Sequence, residues 1–247
     1  MRYLVLSDLH ANLEATDAVL AAATALQPDH TLILGDLVGY GPDPNAVLDR
    51  LRTHPASTVI RGNHDRVASG LGSDADFNPH ARAAIRWTAA QLTPASRQSL
   101  ATLPIGPVAV DADVEICHGS PFDEDAYVLS PADAARAARA ASRRICLFGH
   151  THVASVFRGT PEGATAVGPS GRMPFTIDLA GTGHWLINPG SVGQPRDGDW
   201  RAAYALLDTA AGTCTLYRAE YDAALTRRKM AEAGLPSVLI SRIGPAR

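Results

Sequence analysis

The chain has 247 residues, 46% of them hydrophobic, which is enough to bury a core and excludes global intrinsic disorder. Its 22 basic and 25 acidic side chains give a formal net charge of -3, so no overall positive field is available to attract nucleic acid or anionic lipid. Lys229 is the only lysine and no Gly-Lys-Ser/Thr sequence occurs, which excludes a phosphate-binding P-loop and argues against Schiff-base chemistry.

Short aliphatic runs alternate with helical patterns through the first half of the chain. Three runs predict strands that are buried on both faces, and the segments between them predict helices. The predicted strands are residues 3–6, 30–34 and 57–60, and the predicted helices are residues 14–26 and 45–51. Because strands joined by helices usually lie parallel, this order predicts a βαβ beginning.

Three further helices are predicted in the middle of the chain, each opened by a proline beside a capping residue. They begin at Asn78-Pro79, Thr93-Pro94 and Ser130-Pro131, and the last two run to residue 100 and to about residue 142. From residue 145 the pattern changes to short strands broken by glycine and proline, closing with a helix near residues 223–233. The second half is therefore predicted to be largely β.

The arrangement of these elements predicts an α/β fold. Strands on both sides of the central helices indicate two packed mixed β-sheets flanked by helices, a four-layer αββα sandwich. Residues 158–172, rich in Gly, Pro and Thr, are predicted to be a hairpin loop between two flanking strands. No repeat, long charge run or linker marks a boundary, so residues 1–247 are predicted to be a single domain.

Cysteine usage and hydropathy indicate the compartment. Cys117, Cys146 and Cys214 are widely spaced without a CxxC pair, which predicts buried reduced thiols. The first apolar run is too short for a signal peptide, and no run of about 18 apolar residues follows. We therefore expect a cytoplasmic protein that does not cross a membrane.

Polar residues follow the predicted strands at the points where they end. Five apolar runs in succession lead into Asp, His or Asn, at the edge of an open α/β sheet where ligand sites form. These turns are Ser7-Asp8-Leu9-His10, Gly35-Asp36, Gly62-Asn63-His64-Asp65, His118-Gly119 and Gly149-His150-Thr151-His152. Each alone is most often a turn or a helix cap, but their joint occurrence predicts one site.

The side chains of these turns are carboxylates, imidazoles and one amide, without a thiolate. Such donors suit divalent ions such as Mn, Fe, Zn or Co. About seven candidate ligands exceed the need of one tetrahedral ion and suit two ions that share a carboxylate. Two such ions can hold a bridging hydroxide and clamp the oxygens of an in-line phosphoryl displacement. The pattern therefore predicts hydrolysis of a phosphate ester or anhydride.

These motifs resemble those of the calcineurin-like metallophosphoesterase superfamily, which has DxH, GDxx, GNH followed by an acid, a later His, and GHxH in this order. The chain has DLH, GDLV, GNHD, HG and GHTH between Asp8 and His152, and its residues 188–191 match the family's NPGS turn. The segment GDLVGYG departs from the GDxVDRG of Ser/Thr protein phosphatases and symmetrical diadenosine tetraphosphatases. With the NPGS turn, it is similar instead to the bacterial and archaeal phosphodiesterase-like branch.

By position, the resemblance implies two metal sites that share Asp36. One is implied to consist of Asp8, His10, Asp36 and His152, and the other of Asp36, Asn63, His118 and His150. His64 is implied to donate a hydrogen bond to phosphate or to protonate the leaving oxygen, with Asp65 orienting it. Manganese is the favoured metal, with iron, zinc, cobalt and nickel as alternatives.

Two further residues are predicted to contact substrate. Arg196, in the late turn, could reach a phosphate oxygen, and the alternative is a surface salt bridge with neighbouring aspartates. Tyr40, in GDLVGYG, could line the pocket or stack on a base, and the alternative is simple packing of a turn.

We therefore expect a metal-dependent phosphoric ester hydrolase that acts on small, nucleotide-like substrates, with phosphodiesters favoured over monoesters. Cyclic nucleotides and dinucleoside polyphosphates are both open at this point. The alternative is a catalytically silent metal- or nucleotide-binding regulatory or scaffold protein on the same fold, against which the intact His64 and Asp65 weigh. We expect no extended nucleic-acid surface, and the strand-rich surface after residue 175 leaves a homodimer open.

Overall fold

The structure is a computed structural model that describes residues 1–54, 57–160, 162–169 and 173–245. Its strands form two six-stranded mixed sheets, and the predicted four-layer αββα sandwich is confirmed. In chain order the strands are β1 (Arg2–Leu6), β2 (His30–Ile33), β3 (Ser57–Val59), β4 (Val108–Ala109), β5 (Val114–Ile116), β6 (Ile145–Leu147), β7 (Ser155–Thr160), β8 (Gly163–Gly168), β9 (Phe175–Asp178), β10 (His184–Asn188), β11 (Ala202–Asp208) and β12 (Thr213–Ala219).

Each sheet combines a parallel and an antiparallel part. The first sheet has the order β3-β2-β1-β11-β12-β9, in which β1, β2 and β3 are parallel, as the βαβ pattern predicted, and the later strands are antiparallel. The second has the order β4-β5-β6-β10-β7-β8, with β5, β6 and β10 parallel. The carboxyl ends of the parallel strands of both sheets carry the polar turns.

The helices begin at the capping residues that the sequence indicated. Asn78 accepts hydrogen bonds from the backbone of the next helix, as do Thr93 and Ser130 from theirs. In chain order the helices are α1 (Leu13–Thr24), α2 (Pro44–Arg52), α3 (Asn63–Ser69), α4 (Pro79–Gln91), α5 (Pro94–Ala101), α6 (Pro131–Ala140), α7 (Ala223–Glu232) and α8 (Ser237–Ile240). None of the described helices is long and apolar enough to cross a lipid bilayer.

Central strands are buried on both faces, which explains their continuous apolar sequences. Tyr3 and Val5 of β1 lie in the core between the two sheets, whereas Leu4 and Leu6 pack against the helices of the first sheet. In the second sheet Cys146 faces α6, and its Sγ lies 3.6 Å from the Sγ of Cys117. All three cysteines are free and buried, as predicted.

The predicted hairpin loop over residues 158–172 is wrong. β7 runs to Thr160, β8 occupies residues 163–168, and β7 pairs with β8 and β10. The other flanking strand, β9, lies in the first sheet beside β12. No strand pattern is visible here in the sequence, because β8 is a largely exposed edge strand of small residues. Residues 161 and 170–172 lie outside the described residues.

Candidate active site

The predicted polar turns meet at one edge of the sandwich. The first sheet contributes the turns after β1 and β2, α3 contributes its first turn, and the second sheet contributes the turns after β5 and β6. Two groups of buried side chains have ligand atoms within 4.8 Å of one another: Asp8, His10, Asp36 and His152 in one, and Asp36, His118 and His150 in the other. Asn63 joins the second group, since its Oδ1 lies 3.2 Å from His118 Nε2.

The first group has the character of a cation site. His10 Nε2 lies 3.0 Å from His152 Nε2, and Asp8 Oδ1 lies 3.4 Å from the same His152 atom. Asp8 Oδ1 is buried and accepts no hydrogen bond from the described residues. A buried carboxylate oxygen without a partner is costly, and a bound cation would satisfy it.

Asp36 belongs to both groups through one oxygen. Its Oδ2 lies 3.5 Å from His10 Nε2 and 3.5 Å from His118 Nε2. Its other oxygen, Oδ1, accepts a hydrogen bond of 2.9 Å from the backbone N–H of His64. Helix α3 therefore fixes the carboxylate while Oδ2 faces both sets of imidazoles.

Backbone carbonyl groups orient the four imidazoles. A carbonyl oxygen only accepts, so the ring nitrogen facing it carries the hydrogen and the opposite nitrogen keeps its lone pair. In three rings the donor is Nδ1: His10 donates to Val38 O (3.0 Å), His118 to Leu34 O (2.7 Å) and His152 to Gln194 O (2.7 Å). In His150 the donor is Nε2, which bonds Asp125 O at 3.1 Å. In its neutral form each ring thus presents a lone pair suited to a metal ion.

The charge states of the site also favour a cation. Burial lowers the pKa of His10 and of His152 well below 6.5, and that of His150 to about 3, so these rings are neutral at pH 7. Burial acts in the same direction on His118, but the Asp36 carboxylate outweighs it and raises the pKa of His118 to about 10. The field that favours a proton on this ring equally favours a metal ion beside it.

The backbone is strained at these positions. Five candidate ligands have left-handed φ angles: Asp8 (54°), His10 (48°), Asp36 (53°), His150 (66°) and His152 (61°). Such angles cost on the order of 1–3 kcal/mol each and persist only where the surroundings fix them, typically at functional sites. A side chain at Gly62 would collide with the Asp36 carboxylate, and one at Gly149 would collide with Ser7, so both turns require glycine.

The NPGS turn braces the site without entering it. The Asn188 amide donates to Gly149 O (2.8 Å) and to Thr151 Oγ1 (3.0 Å), and Ser191 Oγ donates to Asp8 O (2.8 Å). These bonds connect the turn after β6 with the turn after β1, which belong to different sheets. The role of this turn is to hold the two halves of the ligand set in register.

His64 lies above the two groups in apolar surroundings. Its ring packs between Tyr40 and Phe77, with centroid separations of 4.4 Å and 4.7 Å, and burial lowers its pKa to about 4. The orienting role predicted for Asp65 does not take the form of a hydrogen bond to this ring. The Asp65 oxygens accept instead from Val38 N (3.2 Å) and Gly62 N (2.9 Å), so Asp65 fixes the start of α3.

A cavity of about 270 Å³ opens over the site. Tyr40, His64 and Arg196 are among the residues that line it. The salt bridge offered as the alternative for Arg196 is not observed: among the described residues no carboxylate lies within 4.0 Å of it, and the neighbouring Asp197 pairs with Arg218. The Arg196 guanidinium lies 5.7 Å from the centroid of the Tyr40 ring.

Sequence reasoning missed the opposite wall of this cavity. The additional lining residues include Arg66, Ser73, Asp76, Phe77, Asn78, Asp125 and Tyr127. They come from α3, from the connection to α4, and from the loop before α6, and none of them was predicted to contact a ligand. Tyr127, an aromatic residue in a polar loop, was the one available signal, and the sequence does not indicate which residues it contacts.

Comparisons with known proteins agree with this geometry. The sequence model of the calcineurin-like phosphoesterase superfamily domain matches residues 1–212. The uncharacterized protein MJ0912 of Methanocaldococcus jannaschii is 30% identical over 254 residues, covering 97% of this chain and 96% of that protein. The crystal structure of a metallophosphoesterase from Sphaerobacter thermophilus is 39% identical, with a TM-score of 0.84 over 98% of this chain and 97% of that one. The hypothetical protein PH1004 from Pyrococcus horikoshii OT3, at 20% identity, shares the fold with a TM-score of 0.79 over 99% of both chains.

Proposed function

The chain belongs to the calcineurin-like phosphoesterase superfamily, and we propose that it is a dinuclear-metal phosphodiesterase for small, nucleotide-like substrates. The observation that carries this proposal is the position of Asp36 Oδ2, 3.5 Å from a ring nitrogen of each ligand group. A carboxylate oxygen equidistant from two sets of ligands is the arrangement expected where two divalent ions share a bridging group.

The two proposed ions share Asp36. Asp8, His10 and His152 would complete the coordination of one, and Asn63, His118 and His150 that of the other. When bound, the ions would activate a water molecule and neutralise the charge of the phosphate. Oxygen and nitrogen donors without a thiolate suit manganese, which we favour over iron, zinc, cobalt and nickel.

His64 is proposed to hydrogen-bond the phosphate as a neutral imidazole. Its Nδ1 is buried against Gly39 and finds no acceptor among the described residues, so the ring hydrogen belongs on Nε2. Because burial lowers its pKa to about 4, the ring donates a hydrogen bond at pH 7 without carrying a charge. Asp65 acts as a positioning residue, since it fixes the helix start that carries His64.

The cavity contains one cation that is free to contact substrate. Arg66 contacts both Glu124 and Asp125, so its charge is already compensated. Among the described lining residues, Arg196 is the cation without a carboxylate partner. This one free guanidinium is available to contact a non-bridging phosphate oxygen of the diester.

The test compares bis(p-nitrophenyl) phosphate with p-nitrophenyl phosphate, using metal-free protein reconstituted with Mn²⁺. We expect turnover to require metal and kcat/KM to be higher for the diester. His64→Gln should lower kcat by about 10²-fold while metal content is retained. The exposed His80 provides the matched control, since His80→Gln changes a histidine outside the cavity and should leave activity intact. Metal uptake without turnover of either ester would favour the scaffold alternative.

Three further proposals concern the cellular compartment, the number of domains and the oligomeric state. Three free, buried thiols suit the reducing cytoplasm. We also propose that residues 1–247 form a single domain, which a single cooperative unfolding transition would support. The homodimer stays a prediction, which sedimentation equilibrium tests.

A further inference from the structure

Tyr127 presents a flat aromatic surface at the rim of the cavity. One face of its ring is stacked on the His150 imidazole, with centroids 4.1 Å apart and planes 22° apart. The residue is nevertheless 50% exposed and lines the cavity. A large aromatic side chain with one face packed and much of its surface free, beside a polar site, is typical of a stacking platform for a planar ligand.

The loop that carries Tyr127 is held from two sides. Asp125 O accepts from His150 Nε2 at 3.1 Å, and the Asp125 carboxylate accepts from Arg66 Nη2 at 2.7 Å. Glu124 binds Arg61 through two hydrogen bonds of 3.1 Å and 2.9 Å, and it also contacts Arg66. The platform is therefore fixed in advance, which lowers the entropy lost when a ligand stacks on it.

Charge and size limit what else the cavity can accept. Arg61 and Arg66 are balanced by Glu124 and Asp125, so this ion-pair cluster has no surplus positive charge. Asp76 also lines the cavity, with no cation within 4.0 Å among the described residues. A second or third phosphate would find no further unpaired cation among the described lining residues besides Arg196, and about 270 Å³ lies at the small end for a ligand pocket.

We propose that Tyr127 determines specificity, and that the substrate is a single-phosphate diester with one planar aromatic group, such as a nucleobase, stacked on this ring. Dinucleoside polyphosphates are disfavoured by the small volume of the cavity and by the lack of a second unpaired cation among its described lining residues. The inference rests on the proposed phosphodiesterase function. It adds that one of the two groups esterified to the phosphate is aromatic and binds on the Tyr127 side of the cavity.

The experiment uses two diesters that differ only in the retained group. Thymidine 5′-monophosphate p-nitrophenyl ester and methyl p-nitrophenyl phosphate share one charge and one leaving group, so their KM values isolate the contribution of the nucleoside. We expect Tyr127→Leu to raise KM for the thymidine ester about tenfold, the size expected for one base–aromatic stack, with little change for the methyl ester. Tyr127→Phe should retain the preference, and Leu129→Ala, which changes an exposed apolar residue outside the cavity, should behave as wild type.

A binding measurement separates this inference from the proposed function. Calorimetric titration with thymidine 5′-monophosphate should show about tenfold weaker binding to Tyr127→Leu than to wild type or to Tyr127→Phe. Tyr127-dependent binding without turnover of either ester would refute the phosphodiesterase function and leave the platform intact. Turnover with a nucleoside preference that survives in Tyr127→Leu, or with none in wild type, would overturn the inference. Faster hydrolysis of diadenosine tetraphosphate than of the thymidine ester would overturn the argument from charge.

Discussion

Replacing Asp36 by asparagine tests the shared-carboxylate arrangement. The amide has almost the same shape and can still accept from His64 N through Oδ1, so the change removes charge with little change of packing. A unit positive charge at either Nε2, 3.5 Å from Oδ2, is favoured by about 5 kcal/mol at an effective dielectric constant of about 20. Loss of this attraction corresponds to about 10³- to 10⁴-fold weaker binding of a cation in each group, and a divalent ion should lose more.

The assay is metal content by elemental analysis after dialysis against a metal buffer. Wild type should hold two ions per chain and Asp36→Asn fewer than one, whereas His152→Asn and His118→Asn should each lose the ion of one group only. Glu115→Gln supplies the control, because Glu115 is an equally buried carboxylate that bonds Ser142 away from the site. Two ions retained in Asp36→Asn, or both lost in His118→Asn, would refute the shared-carboxylate argument.

Three further changes test other parts of the structure. Lys229→Met should lower the free energy of unfolding, measured in urea, by about 1–3 kcal/mol, because Glu14 and Asp43 both lose their contact with the ammonium group. The control is Arg228→Met, a change at an exposed residue that should alter this free energy by less than about 0.5 kcal/mol. Equal effects of the two substitutions would contradict this reasoning. Gly62→Ala should abolish metal binding, since its methyl group meets Asp36. Gly198→Ala, where a methyl group meets open space and only the left-handed φ of 86° is unfavourable, should lower stability but keep both ions. A metal-loaded Gly62→Ala protein would show that the turn can relax. Burial and the hydrogen bond to Asp111 raise the pKa of Tyr3 to about 12, so its contribution to stability is present below pH 10 and is lost between pH 10 and 12. Tyr3→Phe should therefore flatten the fall of unfolding free energy across that window, and an unchanged slope would disprove the link.

The sequence predicted the layers of the fold and the gathering of the polar turns at one edge for the same reason. Strands such as β1 and β6 are apolar on both faces and end in Asp or His, and parallel strands bring their carboxyl ends to one edge. Order along the chain was therefore enough to gather Asp8, Asp36 and His150 without any knowledge of distances.

Features that depend on the folded environment escaped the sequence. Helix α3 has seven residues, too few for an apolar period, so its GNHD start was interpreted as a turn. β8 (GATAVG) has small side chains and no alternation of apolar and polar residues, because it lies at an exposed edge. The packing of Tyr127 on His150 joins a loop to a turn from another part of the chain, and no local pattern encodes that contact.

The two sheets meet at the proposed metal centre, and this arrangement links metal binding to the stability of the folded protein. His10 and His152 are 142 residues apart in the chain and belong to different sheets, yet their Nε2 atoms lie 3.0 Å apart. An ion held between them is a reversible cross-link that binds only the folded chain, so it stabilises that state in proportion to the logarithm of free metal concentration. At low metal concentration the protein would then lose the proposed metal centre and part of its stability at the same time. The metal-free form would therefore be the one most susceptible to proteolysis.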